Sequence, residues 1–226
     1  MKITALIPYW SDYIFPNKSL SKRDTLTLGG YSLINYSVKV ANLVDEIDEV
    51  VIYSSNDDVL NLIDSNNSCE FITRDTNLDA IDVSIEDVIE SFLGVTDADV
   101  IVLMHPKSPF LKSETLASCI AEVKSGRYSS AFIVSEARKL AWFNRKPLNY
   151  TLRKDTPSLS SLEPVFLESS SVYVFTRELF EKTRHRIGDN PFMLTIGPFE
   201  GFEVDKKDDY KMAELIINSG FVTFGD

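Results

Sequence analysis

Short, β-branched apolar runs alternate with amphipathic stretches along this chain, and no other feature restricts its fold as much. Five runs read as buried strands: Ile3–Pro8, Glu49–Ser54, Val100–Met104, Ala131–Ser135 and Val172–Phe175. Each is short and almost continuously apolar, as a strand covered on both faces must be. Helix candidates fall between and after them, at Leu33–Leu43, Val59–Ser65, Ser84–Leu93, Ser113–Lys124 and Asp208–Ser219. Ser113 ahead of Leu116, Ile120 and Val123 reads as an N-cap before a buried stripe. In the last helix Met212, Leu215 and Ile216 share one face at three- and four-residue spacing. Strand-then-helix order predicts an α/β fold: a three-layer, mostly parallel sheet with helices on both faces.

The 226 residues suit one domain spanning 1–226. No repeat or low-complexity tract divides it. The least regular stretch is 138–167. It carries Pro147, Pro157, Trp142, Phe143 and Tyr150, and reads as a lid, a dimerisation arm or a loop packed on its own domain. Met1–Ile7 reads as a first strand rather than an export leader. No apolar run approaches the ~20 residues that cross a bilayer. Cys69 and Cys119 match no metal or redox spacing and are expected to be buried thiols in a reducing cytoplasm. The formal net charge of −11 argues against non-specific nucleic-acid binding, which needs a basic footprint, but leaves room for a local cationic cluster around a nucleotide.

Ligands on open parallel sheets bind beyond the carboxyl ends of the strands. The first suspects are therefore Tyr9–Lys18, Ser54–Asp58, His105–Pro109 and Ser135–Lys139. The loop after Pro8 could cradle phosphates. Such a cradle wants glycines and basic side chains, whereas this loop has Tyr9, Trp10, Tyr13, Phe15 and one lysine, Lys18. Lys22 and Arg23 follow. The alternative is an aromatic loop packed on the sheet.

Glu203 and Asp205 point to one side of an extended segment, and two such carboxylates can hold a hard divalent cation. Asp208 and Asp209 suit the positive end of the following helix. His105, between a strand and a stiff two-proline turn, could donate to a substrate or simply pack. Neither a Ser–His–Asp set nor a Cys/His metal pattern can be assembled.

Taken in order, several segments resemble the CMP-N-acylneuraminate synthetase family. They are Ile7-Pro8 with Phe15-Pro16-Asn17-Lys18, Leu28-Gly29-Gly30 through Ile34, Val50 through Asp57, Arg74 through Leu78, Val102 through Phe110, Glu168 through Phe175, and Phe202 through Asp209. The resemblance implies a fold like that of nucleotide-diphospho-sugar transferases and transfer of CMP from CTP to an acidic, sialic-acid-like sugar in the cytoplasm, with Mg²⁺ as cofactor. It implies Lys18 and Asp205 as catalytic residues, and Pro8, Lys18 and Arg74 on the nucleotide side. It also implies His105, Ser108 and Ser169 at the sugar acid, and Glu203 and Asp205 at the metal. A homodimer is implied as well, with the arm reaching toward the partner's site. No membrane or nucleic-acid partner is expected.

The chain departs from the family in its opening loop, which lacks the family's arginine, second lysine and glycines. Lys22 and Arg23 are the candidates to replace those cations. Ser169-Ser170-Ser171 stands where the family has Asn-Gly-Ala. Lys107 stands where the related Kdo cytidylyltransferases have aspartate, which favours the sialate-like branch. Two readings follow: an active cytidylyltransferase, or a homologue that binds nucleotide or sugar without turnover. An enzyme with a different anionic acceptor is a third.

Overall fold

The computed structural model describes residues 1–10, 27–153 and 155–220. Its centre is a seven-stranded sheet. In chain order the strands are β1 (Ile3–Pro8), a small hairpin of β2 (Thr27–Leu28) and β3 (Tyr31–Ser32), β4 (Glu49–Ser54), β5 (Glu70–Thr73), β6 (Val100–Met104), β7 (Ser130–Ala137), a second hairpin of β8 (Trp142–Phe143) and β9 (Lys146–Pro147), β10 (Val165–Thr176) and β11 (Phe192–Ile196). The helices are α1 (Leu33–Asn42), α2 (Ile85–Leu93), α3 (Ser113–Lys124), α4 (Arg177–Thr183) and α5 (Lys207–Asn218). The sheet order is β11-β7-β10-β6-β1-β4-β5. All strands of this sheet run parallel except β10, which pairs antiparallel with both β6 and β7.

Alternation along the strands builds two cores. Ile3, Ala5 and Ile7 of β1, with Val100, Val102 and Met104 of β6, pack against Ile34, Val38 and Ala41 of α1 and Leu116, Ile120 and Val123 of α3. The opposite face carries Leu6, Ile101 and Leu103 against Val88, Ile89 and Phe92 of α2 and Phe180 of α4. This is the expected three-layer arrangement, with period 2 in the strands and period 3.6 in the helices. A third, smaller core joins Leu28, Leu33, Tyr36, Phe110 and Val204 to Ala213 of α5.

Local chemistry fixes several ends. Gly29 and Gly30 have φ of +57° and +90° and turn the first hairpin; a two-residue turn with both central φ positive favours glycine. Ser84 caps α2 reciprocally with Asp87, each backbone N–H bonding the other's side chain at 3.1 Å.

Several expectations need correction. Ser113 is the first helical residue of α3, not its cap; Lys112 holds that position without a side-chain cap bond. Val59–Ser65 is not an α-helix but a 3-10 segment, Asp57–Leu62. Met212 and Leu215 are exposed, and α5 packs through Ala213 with Tyr210, Ile216 and Ile217 instead. Cys119 is buried, which pushes its thiol up to about 12, whereas Cys69 is only partly buried; both thiols are free.

The 138–167 excursion is ordered by its own bonds. Asn144 and Arg145 turn the β8–β9 hairpin with φ of 49° and 62°. Asn149 Nδ2 donates to the carbonyls of Lys139 and Glu163, and Arg138 to that of Leu162.

Candidate functional site

The carboxyl ends of β1, β4, β5 and β6 lie along one edge of the sheet. The antiparallel β10 brings its first half to the same edge. Five steps along β10, from Glu168 to Tyr173, answer only two on β7, from Val134 to Phe132. The surplus residues form a bulge that contains Ser169, Ser170 and Ser171. Bulges re-aim side chains beside sites, and this one directs hydroxyls at Glu203.

Glu203 is the hub. Its Oε1 accepts from Ser169 Oγ at 2.6 Å and Ser171 Oγ at 2.9 Å. Its Oε2 lies 2.8 Å from Lys107 Nζ and receives a longer contact from Ser170 Oγ at 3.4 Å. Ser108 also bonds Ser171, and Ser169 and Ser171 lie 2.6 Å apart. Ser108, Ser169 and Ser171 have three hydroxyl protons for four oxygen–oxygen contacts. Glu203 as a carboxylate can only accept, so the arrangement that satisfies it has Ser169 and Ser171 donating to it and Ser108 donating to Ser171. Burial opposes ionisation of Glu203, but the bonds from Lys107, Ser169 and Ser171 outweigh it and hold the carboxyl below its ordinary value.

Lys107 completes the cluster. Its Nζ bridges Glu203 Oε2 and Asp205 Oδ1, the latter at 3.1 Å. The turn after β6 fixes its backbone: Lys107 N–H donates to His105 O, and Val204 N–H donates to Lys107 O, both at 2.8 Å. Val204 is fully buried in the α5 core, so its neighbours Glu203 and Asp205 turn to the other side together. Asp205 is the exposed member, with 56% of its side chain open against 17% for Glu203 and 14% for Lys107. Its backbone N–H and that of Lys206 donate to Asp209 at the start of α5.

Arg74 forms a separate cluster. It follows β5, and β1 and β4 lie between β5 and β6, a span of roughly 14 Å at ordinary strand spacing. The side chain is buried. Nη1 donates to Tyr53 O at 3.1 Å, and Nη2 to Tyr9 O at 3.0 Å and Asp79 Oδ1 at 2.5 Å. The guanidinium lies 4.3 Å from the centre of the Trp10 ring. Its Nε has no hydrogen-bond partner among the described residues. Burial lowers its pKa, and Asp79 opposes that shift.

The edge thus brings together His105, Ser108, Ser169, Glu203 and Asp205 of the expected site residues. Pro8 ends β1 opposite Tyr53 of β4, on the Arg74 side. Lys18, Lys22 and Arg23 lie outside the described residues. Sequence reasoning placed Lys107 in a suspect loop and Ser171 in a departure from the family's pattern, but gave neither a role in the site. Lys107 lies 96 residues before Glu203 in the chain, so no local pattern announces their pairing.

The expected Mg²⁺ pair stands side by side, but with an ammonium between its members. Both oxygens of Glu203 are already engaged, and among the described residues no three His, Cys, Asp or Glu side chains converge as a metal group. This donor set does not fit a divalent ion bound by both carboxylates.

A hollow of about 330 Å³ lies elsewhere, among Asn42, Asp48, Glu49, Cys69 and Glu70 at the starts of β4 and β5, away from the edge just described.

Residues 15–200 match the cytidylyltransferase family. The chain is a member of that family. Solved structures agree in fold. A CMP:2-keto-3-deoxy-manno-octonic acid synthetase complexed with CTP superimposes with a TM-score of 0.69 at 14% identity, covering 97% of this chain and 100% of the other. A 4-diphosphocytidyl-2C-methyl-D-erythritol synthase from Anaerococcus prevotii gives 0.68 at 12% identity, covering 96% of each chain. No curated protein matches the sequence. At these identities the structural likeness speaks for the fold, a cytidylyltransferase α/β sheet. Among the described residues no helix is long and apolar enough to cross a membrane.

Proposed function

We propose that this chain transfers the cytidylyl group of CTP to an acidic, sialic-acid-like sugar in the cytoplasm and releases pyrophosphate, supplying an activated sugar for surface glycans. The observation that carries this reading is the cytidylyltransferase match over residues 15–200, because it spans β4 to β11 and the Lys107 turn. In the reaction an acceptor hydroxyl attacks the α-phosphorus and gives up its proton to solvent. The bond to the bridging oxygen breaks, and pyrophosphate leaves with the electron pair. Such chemistry depends mainly on positioning and on neutralising phosphate charge.

Each residue has a part in this proposal. Lys18, Lys22 and Arg23 hold the triphosphate. Pro8 and Arg74 shape the nucleotide side, Arg74 by fixing the Tyr9 and Tyr53 backbone rather than by touching the ligand. Asp205, exposed and held by Lys107, faces the reacting groups. His105 serves the sugar acid, and Ser108 and Ser169 act by orienting Glu203. Mg²⁺ enters only as the companion that a nucleoside triphosphate carries from solution. The chain is proposed to work as a homodimer through the arm that carries Trp142 and Phe143, both exposed.

A specific feature favours a second reading, in which nucleotide binds without turnover: the Tyr9–Phe15 segment has neither glycine nor basic side chain. Titration calorimetry with CTP, UTP, ATP and GTP tests the nucleotide part common to both. Selective CTP binding is expected, and no binding of any of the four would remove both readings.

A further inference from the structure

We propose that the Lys107 ammonium is the resident cation of the Glu203–Asp205 pair, so that this pair takes no divalent metal ion.

Three observations carry the inference. First, the place is filled. Lys107 Nζ lies 2.8 Å from Glu203 and 3.1 Å from Asp205, whereas Mg²⁺ would need oxygens at about 2.0–2.1 Å in near-octahedral array. A metal bridging both carboxylates would have to expel the ammonium. Second, Glu203 has little acceptor capacity left over. A carboxylate offers about four lone-pair sites, and Ser169, Ser171 and Lys107 take three of them at short distance, with Ser170 Oγ at 3.4 Å standing beside Oε2. Third, the lysine is built in. Its backbone is bonded on both sides, to His105 O and Val204 N, its turn is stiffened by Pro106 and Pro109, and only 14% of its side chain is exposed.

The consequence is chemical. An ammonium has three N–H donors, and two are used on the carboxylates. Among the described residues nothing takes the third, which can meet an anionic oxygen of an incoming phosphate or carboxylate. The lysine thereby supplies at this edge the positive charge that two bare carboxylates would otherwise draw from a metal.

Locating manganese by anomalous scattering tests this directly. Crystals of the wild-type protein are soaked in MnCl₂ alone and in MnCl₂ with CTP. No manganese peak is expected within coordination distance of Glu203 and Asp205 in either soak, even if the ion appears elsewhere on CTP phosphates. A peak bridging the two carboxylates, with the lysine displaced, would overturn the proposal. In K107A the vacated pair is expected to gain a manganese peak; its absence from well-ordered K107A crystals would count against the idea that the lysine holds a cation's place. Should K107A not fold, the wild-type soaks decide alone. The soak without nucleotide is independent of whether the chain turns CTP over, so failure of the transferase reading would leave this result interpretable.

Discussion

Ser169 Oγ donates to Glu203 Oε1 at 2.6 Å, a bond that ties the β10 bulge to the segment leading into α5. Removing this hydroxyl leaves Oε1 with Ser171 alone in a largely buried setting. A hydrogen bond to a charged group contributes about 1.5–3 kcal/mol. Ser169→Ala is therefore expected to lower the melting temperature by roughly 5 °C, given about 2–4 °C per kcal/mol for a chain of this size. An unchanged melting curve would show that the serine cluster does not hold Glu203.

The Lys107–Glu203 pair gives a signed pH dependence. In the native protein the Glu203 carboxyl is held below its ordinary value of 4.5, with burial outweighed by Lys107 and the serines. Its contribution to stability is thus present above about 4.5 and fades as pH falls through the lowered native value. Lys107→Met removes the counter-charge but keeps much of the burial, so Glu203 should then titrate higher than in the native protein. The variant's penalty, about 3 kcal/mol for a buried pair that loses one partner, should be largest near pH 8 and shrink on acidification. Urea unfolding of both proteins from pH 2.5 to 8 measures this. A difference independent of pH would exclude Glu203 as its source.

Arg74 is expected to matter for stability before it matters for ligands. It satisfies the carbonyls of Tyr9 and Tyr53 and pairs with Asp79 while buried. Arg74→Met would take a charged donor from the Tyr9 and Tyr53 carbonyls, Tyr53 O keeping the Tyr9 N–H at 3.1 Å; at about 1.5–3 kcal/mol for each bond from a charged group, it should lower the melting temperature by roughly 6–12 °C. Arg74→Lys should not restore it, because a single ammonium cannot reproduce the planar fork that reaches three oxygens. Full rescue by lysine would contradict the geometry described.

The arm makes a prediction about assembly. Trp142 and Phe143 are exposed on the β8–β9 hairpin, with Leu148 and Leu152 beyond it. Exposed apolar groups clustered on one ordered excursion mark an interaction surface. Light scattering should give a dimer for the native chain and a monomer for Phe143→Asp. A native monomer would refute the proposed dimer.

The sequence made the sheet's interior legible and left its margins obscure. Ile3–Pro8, Glu49–Ser54 and Val100–Met104 were read with correct bounds because they are buried on both faces, which leaves a continuous apolar run. Glu70–Thr73 and Phe192–Ile196 escaped because they are the two edge strands, short and only partly buried. The first half of β10 escaped for a related reason: a bulge of three serines breaks the apolar pattern. Met212 and Leu215 misled because helical spacing fixes which residues share a face, not which face is covered.

In the site, the carboxylates Glu203 and Asp205 were legible from their spacing. Their cation was not, since Lys107 reaches them only through the meeting of the β6 turn with the segment before α5. Lys18, Lys22 and Arg23 lie outside the described residues, and their part rests on the proposed reaction alone.

Pyrophosphate release from CTP in the presence of Mg²⁺, across a panel of acidic sugars, tests the central claim most directly. The account predicts release with at least one sialic-acid-like acceptor, no release without acceptor, and a loss of release in Asp205→Ala, which removes one of the two carboxylates that hold the Lys107 ammonium. Selective CTP binding with no pyrophosphate from any acceptor would contradict cytidylyl transfer and leave the chain as a nucleotide-binding member of its family.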